Sequence, residues 1–196
     1  MGRRSLNSKQ PSKAVFLDRD GVLNQAIVRD GKPFSPMTVD EVVVPADVPS
    51  ALKRLRQSGF RLIMVTNQPN IARGSQSREA VCAINDYLRD KLQLDAAEMC
   101  EHDDADNCDC RKPKPGMLLR AAHRDNIGLS ASFMIGDRWR DIEAGRRAGC
   151  KTILIGEGYH EELKSPPDAA VSTFTEAAQW ILQQAEKASA GARSTE

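Results

Sequence analysis

The chain has 196 residues, with 28 Lys and Arg against 27 Asp and Glu, a formal charge of +1, and is 40% hydrophobic and 28% charged. A chain of this size and composition is globular and can bury roughly 70% of its unfolded surface without disulfides. Near-neutral charge makes no case for a nucleic-acid partner, and no apolar run approaches the ~20 residues of a membrane span.

In chain order, Met1 to Ser12 is polar and basic, without the apolar centre of a secretory signal, so it reads as a mobile tail of a cytoplasmic protein with no membrane contact. Ala14–Leu17 is a continuous apolar run that reads as a buried strand, ending on Asp18-Arg19-Asp20-Gly21. Residues 25–45, with Gly31, Pro33, Pro36 and Pro45, suit an irregular flap or hairpin over that strand's end. Segment 47–58 carries Val48, Ala51, Leu52 and Leu55 at helical spacing, opening on Asp47 as N-cap and closing at Gly59. Further strands are expected at 61–65, 132–135 and 151–155, and further helices at 77–92, 115–125, 139–148 and 175–187. This alternation argues for an α/β fold, a parallel sheet covered on both faces, in a single domain over 13–187 followed by a tail at 188–196. Residues 100–116 are too polar and proline-rich to be helix or strand, so something other than apolar burial must order them.

Four short motifs fall at or just past predicted strands or at a helix start: Asp18 with Asp20, Thr66-Asn67, Arg111-Lys112, and Gly136-Asp137 followed by Asp141. Residues i and i+2 of an extended chain share a face, and ligands of open α/β sheets bind beyond the carboxyl ends of the strands. Two acids there can share one metal ion and one phosphoryl group. The ordered set resembles the haloacid dehalogenase superfamily of phosphohydrolases, from about residue 14 to about 155. That resemblance implies a three-layer, Rossmann-like sheet ordered 3-2-1-4-5 with no large cap domain. It makes Asp18 the nucleophile and Asp20 the general acid and then base. Catalytic Mg²⁺ is expected on Asp18, the Asp20 backbone carbonyl and Asp137. Thr66, Asn67 and Lys112 are expected on the phosphoryl oxygens. Asp141 has two readings, a partner of the site or a carboxylate favoured by a helix N-terminus.

Five cysteines, three of them within eleven residues, suit metal ligation or free thiols in a reducing compartment better than a disulfide framework. Cys100-x-His102-x₅-Cys108-x-Cys110 offers three thiolates and one imidazole, the ligand set of a closed structural zinc site. Such an ion would order the loop and fix Arg111 and Lys112, which follow at once. Cys82 and Cys150 read as small core residues, and His123 and His160 as surface residues.

The zinc loop followed by Arg-Lys-Pro-x-Pro-Gly-Met resembles the D-glycero-D-manno-heptose 1,7-bisphosphate 7-phosphatases, whose nearest relatives are histidinol-phosphate phosphatases. The resemblance implies a monomer that takes a phosphorylated sugar on the route to nucleotide-activated heptose for lipopolysaccharide. It assigns Asn67, Gln68, Arg111 and Arg138 to substrate, with Arg111 on the distal phosphate or sugar; Arg29 in the flap is a further candidate. Pro69-Asn70 stands where the family usually reads Ser-Gly, and Trp139 also departs from the pattern, which leaves the sugar and its anomer open. The alternatives are hydrolysis of histidinol phosphate, a polynucleotide 3′-phosphatase, and a zinc-ordered binding module on a retired scaffold. The last predicts loss of one of Asp18, Asp20, Lys112 or Asp137, and all four are present.

Overall fold

Side-chain alternation along the first strand sets the layering. In the computed structural model, which describes residues 10–29, 32–156 and 162–193, β1 (Lys13–Leu17) turns Val15 and Leu17 into one apolar cluster and Ala14 and Phe16 into another. The same split holds in β4 (Phe60–Asn67), where Leu62 and Met64 face one way and Ile63 and Val65 the other. A strand buried on both faces needs helices on both, and the remaining elements supply them.

β2 (Ile27–Arg29) and β3 (Lys32–Phe34) form a two-stranded antiparallel hairpin inside the expected flap. The six-stranded sheet adds β5 (Ala96–Cys100), β6 (Phe133–Gly136), β7 (Lys151–Ile155) and β8 (Ala169–Val171), in the parallel order β5-β4-β1-β6-β7-β8. Its first five strands follow the expected 3-2-1-4-5 sequence, and β8 extends the far edge. One face is covered by α1 (Val48–Gln57), α2 (Arg78–Leu92) and α5 (Phe174–Arg193), through Leu52, Leu55, Ile84, Leu88, Ala178 and Ile181. The other is covered by α3 (Gly116–Asp125) and α4 (Trp139–Ala148), through Met117, Leu118, Ala121 and Ala144. No helix of the described residues is long and apolar enough to cross a membrane.

Several expectations are corrected. Asp47 makes no side-chain cap to its own helix; its Oδ2 accepts from Thr175 N–H at 3.0 Å and so caps α5 instead. The last helix runs to Arg193, past the 187 expected, and Ser12 N–H donates to the Asn126 carbonyl, so Ser12 and residues 188–193, expected in the tails, belong to the fold. Residues 1–9 and 194–196 lie outside the described set.

The chain leaves β1 for β4 on one side and later enters β6 on the other, so the order reverses at β1. Parallel strands put their carboxyl ends on one rim, and the crevice at such a reversal is where α/β sheets bind ligands. Asp18 follows β1, Thr66 and Asn67 end β4, and Asp137 follows β6, so the three adjacent central strands deliver three of the four motifs to one place.

Candidate active site

A cavity of about 380 Å³ opens at this rim, lined among others by Asp18, Asp20, Thr66, Asn67, Arg111, Lys112, Asp137, Arg138 and Asp141. Its floor is charged and buried. The Lys112 side chain, 2% exposed, donates to the Val65 carbonyl at 2.8 Å, to Asp18 Oδ1 at 2.8 Å and to Asp141 Oδ1 at 2.6 Å. An ammonium has three N–H bonds, so Lys112 is fully engaged, with two bonds on acids and one on the Val65 carbonyl, not on the phosphoryl oxygens expected of it. Burial favours its neutral form, but Asp141 and then Asp18 outweigh that and push its pKa up. Burial first, and Asp141 second, raise the pKa of the Asp18 carboxyl against the pull of Lys112.

Asp141 is 2% exposed, and its Oδ2 accepts from Arg138 N–H at 3.1 Å. Both readings of this residue therefore hold: it closes the first turn of α4 and it reaches the site. Gly136 makes room for it, since a Cβ there would stand 2.0 Å from Asp141 Cβ.

Oxygens of Asp18, Asp137 and Asp141 all lie within 4.8 Å of one another. Three carboxylates against one ammonium leave two negative charges over, the charge of one divalent ion, and an all-oxygen donor set suits Mg²⁺. The Asp20 carboxylate does not join them. It accepts from Arg19 Nη2 at 3.0 Å, Asn24 Nδ2 at 3.0 Å, Ser35 Oγ at 2.7 Å and Gln68 Nε2 at 3.1 Å. Burial opposes its ionisation, yet Arg19 and these donors hold its pKa below the ordinary carboxylate value. The turn that presents it contains Gly21 at φ 87°, a left-handed conformation that glycine takes without strain.

Four residues given no role by the sequence, Arg19, Asn24, Ser35 and Asn85, build this network. Arg19 is 0% exposed and spans from Asp20 to Asn85 Oδ1 of α2 at 2.8 Å, while Ser35 brings the hairpin segment onto Asp20. An arginine between two acids reads as a solvated turn until the helix that buries it is known. Gln68, expected on substrate, is corrected: it is 0% exposed behind the cavity wall, its amide bonding Asp20 and, at 2.9 Å, Thr66 Oγ1. Asn67 lines the cavity but uses both ends of its amide on the Lys112 backbone, donating to its carbonyl and accepting from its N–H at 3.0 Å each. The Arg29 side chain and His160 lie outside the described residues.

The Cys100, His102, Cys108 and Cys110 ligand atoms form one group, with sulfur separations of 3.2, 3.3 and 3.6 Å and His102 Nδ1 at 3.4 and 3.7 Å from two of the sulfurs. Tetrahedral zinc with bonds of about 2.3 Å to sulfur sets such edges at roughly 3.8 Å, so the group fits that ion with slight expansion. Cys150 is buried, whereas Cys82 on α2 is partly exposed and His123 exposed. The loop between His102 and Cys108 carries Asp103 and Asp104, which gather arginines at the cavity mouth: Arg73 forks onto Asp103 at 2.6 and 2.7 Å, and Arg111 and Arg140 both reach Asp104.

Fold and site together define a haloacid dehalogenase-like phosphatase, a phosphoric monoester hydrolase, and a HAD-hydrolase-like family model matches residues 109–177. The D-glycero-beta-D-manno-heptose-1,7-bisphosphate 7-phosphatase of Pasteurella multocida is 38% identical over 160 residues, 74% of this chain and 83% of that protein. Its counterpart from Bordetella bronchiseptica is 35% identical over 151 residues, 74% and 82% of the two chains. The crystal structure of the D,D-heptose 1,7-bisphosphate phosphatase from B. bronchiseptica, complexed with magnesium and phosphate, superposes with a TM-score of 0.76 at 32% identity, covering 88% of this chain and 99% of that one. The chain belongs to the D-glycero-D-manno-heptose-1,7-bisphosphate 7-phosphatase family.

Proposed function

We propose that this protein removes the 7-phosphate from a D-glycero-D-manno-heptose 1,7-bisphosphate, on the route to nucleotide-activated heptose for lipopolysaccharide. The observation that carries the reading is the convergence of Asp18, Asp137, Asp141 and Lys112 on one cavity whose mouth is ringed by arginines.

Phosphate monoesters are among the slowest substrates to hydrolyse without a catalyst, and a carboxylate nucleophile divides the task into two steps. An oxygen of Asp18 attacks phosphorus while the bond from phosphorus to the sugar oxygen breaks, and Asp20 gives its proton to that departing oxygen. Water then attacks the aspartyl-phosphate, Asp20 takes the water proton, and Asp18 returns as a carboxylate beside released phosphate. One proton thus cycles through Asp20. The Arg19 contact favours the carboxylate form of Asp20, which makes the protonated form a stronger acid toward the sugar oxygen. Gln68 donates to Thr66 Oγ1, so that oxygen already serves as an acceptor and the Thr66 hydroxyl proton can be directed to a phosphoryl oxygen. Lys112 keeps Asp18 aimed, and Asn67 keeps Lys112 in place. Asp18, Asp137, Asp141 and the Asp20 carbonyl are the groups to hold Mg²⁺, which neutralises charge among the acids and on the phosphoryl group. Cys100, His102, Cys108 and Cys110 would hold zinc through four protein ligands, and such an ion would order the loop and take no part in the chemistry.

A kinetic panel of both heptose bisphosphate anomers, histidinol phosphate and a 3′-phosphorylated oligonucleotide tests the assignment. The expected result is a clear preference in kcat/KM for a heptose bisphosphate, abolished by about 10³-fold or more in Asp18→Asn with the circular dichroism unchanged. Near-wild-type turnover by Asp18→Asn would sink the covalent route, and a preference for either other substrate would sink the sugar assignment.

A further inference from the structure

The cavity mouth holds more cationic groups than one phosphoryl group engages, and they are not equivalent. Arg73 spends its fork on Asp103. Arg111 and Arg140 meet on a single atom, donating from Nε and Nη1 to Asp104 Oδ1 at 2.8 and 3.0 Å, and Arg111 Nη2 also lies 3.7 Å from Asp103 Oδ1. They come from distant parts of the chain, Arg111 from the end of the Cys/His loop and Arg140 from the first turn of α4. Each is steadied by a second contact. Arg111 donates to the His102 carbonyl at 3.2 Å and its side chain is 12% exposed. The Arg140 guanidinium lies 5.0 Å from the Trp139 ring centroid, and Lys164 Nζ sits 4.5 Å from that same ring.

We propose that Arg140 is a specificity-determining residue, pairing with Arg111 as a two-guanidinium clamp for the second phosphate of the substrate. This rests on the sugar-bisphosphate reading above and extends it to a residue on α4. Asp104 marks the geometry, since both guanidiniums already reach one anionic oxygen. A phosphate dianion brings two charges and several such oxygens, which matches two arginines better than one carboxylate does. The Asp104 side chain is 59% exposed, and exposed ion pairs contribute little, so an incoming phosphate competes readily for both arginines. Trp139 gives this chain a platform for Arg140. A cation over an indole face is held without consuming its N–H donors, which stay available to the anion.

Wild type, Arg140→Gln and Arg140→Lys are compared on the heptose 1,7-bisphosphate and on the heptose 7-phosphate. Arg140→Gln should reduce the bisphosphate-to-monophosphate ratio of kcat/KM by about tenfold or more, mainly through KM, because a charge-assisted contact is lost with one of the two substrates only. Arg140→Lys should fall between, since lysine keeps the charge without the fork. An unchanged ratio in Arg140→Gln, or equal losses on both substrates, overturns the clamp. Should wild type show no preference for the bisphosphate, the substrate reading and the clamp fail together; a wild-type preference that survives Arg140→Gln removes the clamp alone.

Discussion

Arg19 shows how a charge can be structural and functional at once. Its guanidinium is fully buried, and between Asp20 and Asn85 it finds the partners that burial demands. Removing one member of a buried pair leaves the other uncompensated, so Arg19→Met should lower stability by about 3 kcal/mol, read from the denaturant midpoint. A midpoint within error of wild type would mean that Asp20 is adequately held by Asn24, Ser35 and Gln68 alone. The neighbouring acids were legible from the sequence because they are the first of four motifs that fall in order at or beside the predicted elements. Arg19 and Gln68 were not, because whether a polar side chain faces the cavity or stands behind its wall depends on which helix packs there. Gln68 sits next to Asn67 in the chain, yet one lies buried against Asp20 and the other on the cavity surface.

Elements differ in how openly they announce themselves. The helices over 48–57, 78–92, 116–125 and 139–148 match their expected spans closely, since each carries an apolar stripe at helical spacing. β5 and β8 went unread: they are the two edges of the sheet, mostly half-buried, and Ala96-Ala-Glu-Met-Cys100 has neither a continuous apolar run nor clean alternation. The segment after β5 is the opposite case: it has no apolar stripe, and what it gathers is the ligand atoms of Cys100, His102, Cys108 and Cys110. Protein purified without added zinc should therefore contain about one zinc per chain, and stripping it with a chelator should lower the melting temperature and raise KM. Asp103 and Asp104 lie between two of the ligands and would release their arginines. Metal analysis that finds no zinc would remove the site, and a KM indifferent to chelation would remove its link to the mouth.

The molecule as a whole is tied together by charge on α4 as well as by its two apolar layers. Glu143 is buried and accepts from Arg146 Nη2 at 2.9 Å, Arg147 Nε at 2.7 Å and Ser165 Oγ at 3.3 Å, fastening α4 to the connection that leads into β8. Arg146 first, with Arg147 and against the effect of burial, lowers its carboxyl from an ordinary 4.5 to about 2. A depressed folded pKa contributes stability that is complete above pH 4.5 and fades as the pH falls toward 2. With arginine side chains 57% and 44% exposed, screening reduces that contribution to about 1 kcal/mol. Wild type should thus be more stable than Glu143→Gln by about that amount at pH 7, the gap closing by pH 2 to 3; a gap independent of pH would show that the carboxylate charge is irrelevant. What the sequence determined unaided was the succession of strands and helices and the placement of Asp18, Thr66 and Asp137 at strand ends, because binary pattern and strand termination are properties of neighbouring residues. Only the tertiary structure decided which partner each charged side chain meets. Lys112 bridging Asp18 to Asp141, Arg19 reaching Asn85 and Arg140 joining Arg111 on Asp104 all link segments far apart in the chain, and such pairings are set by strand order and helix packing, which no local pattern encodes.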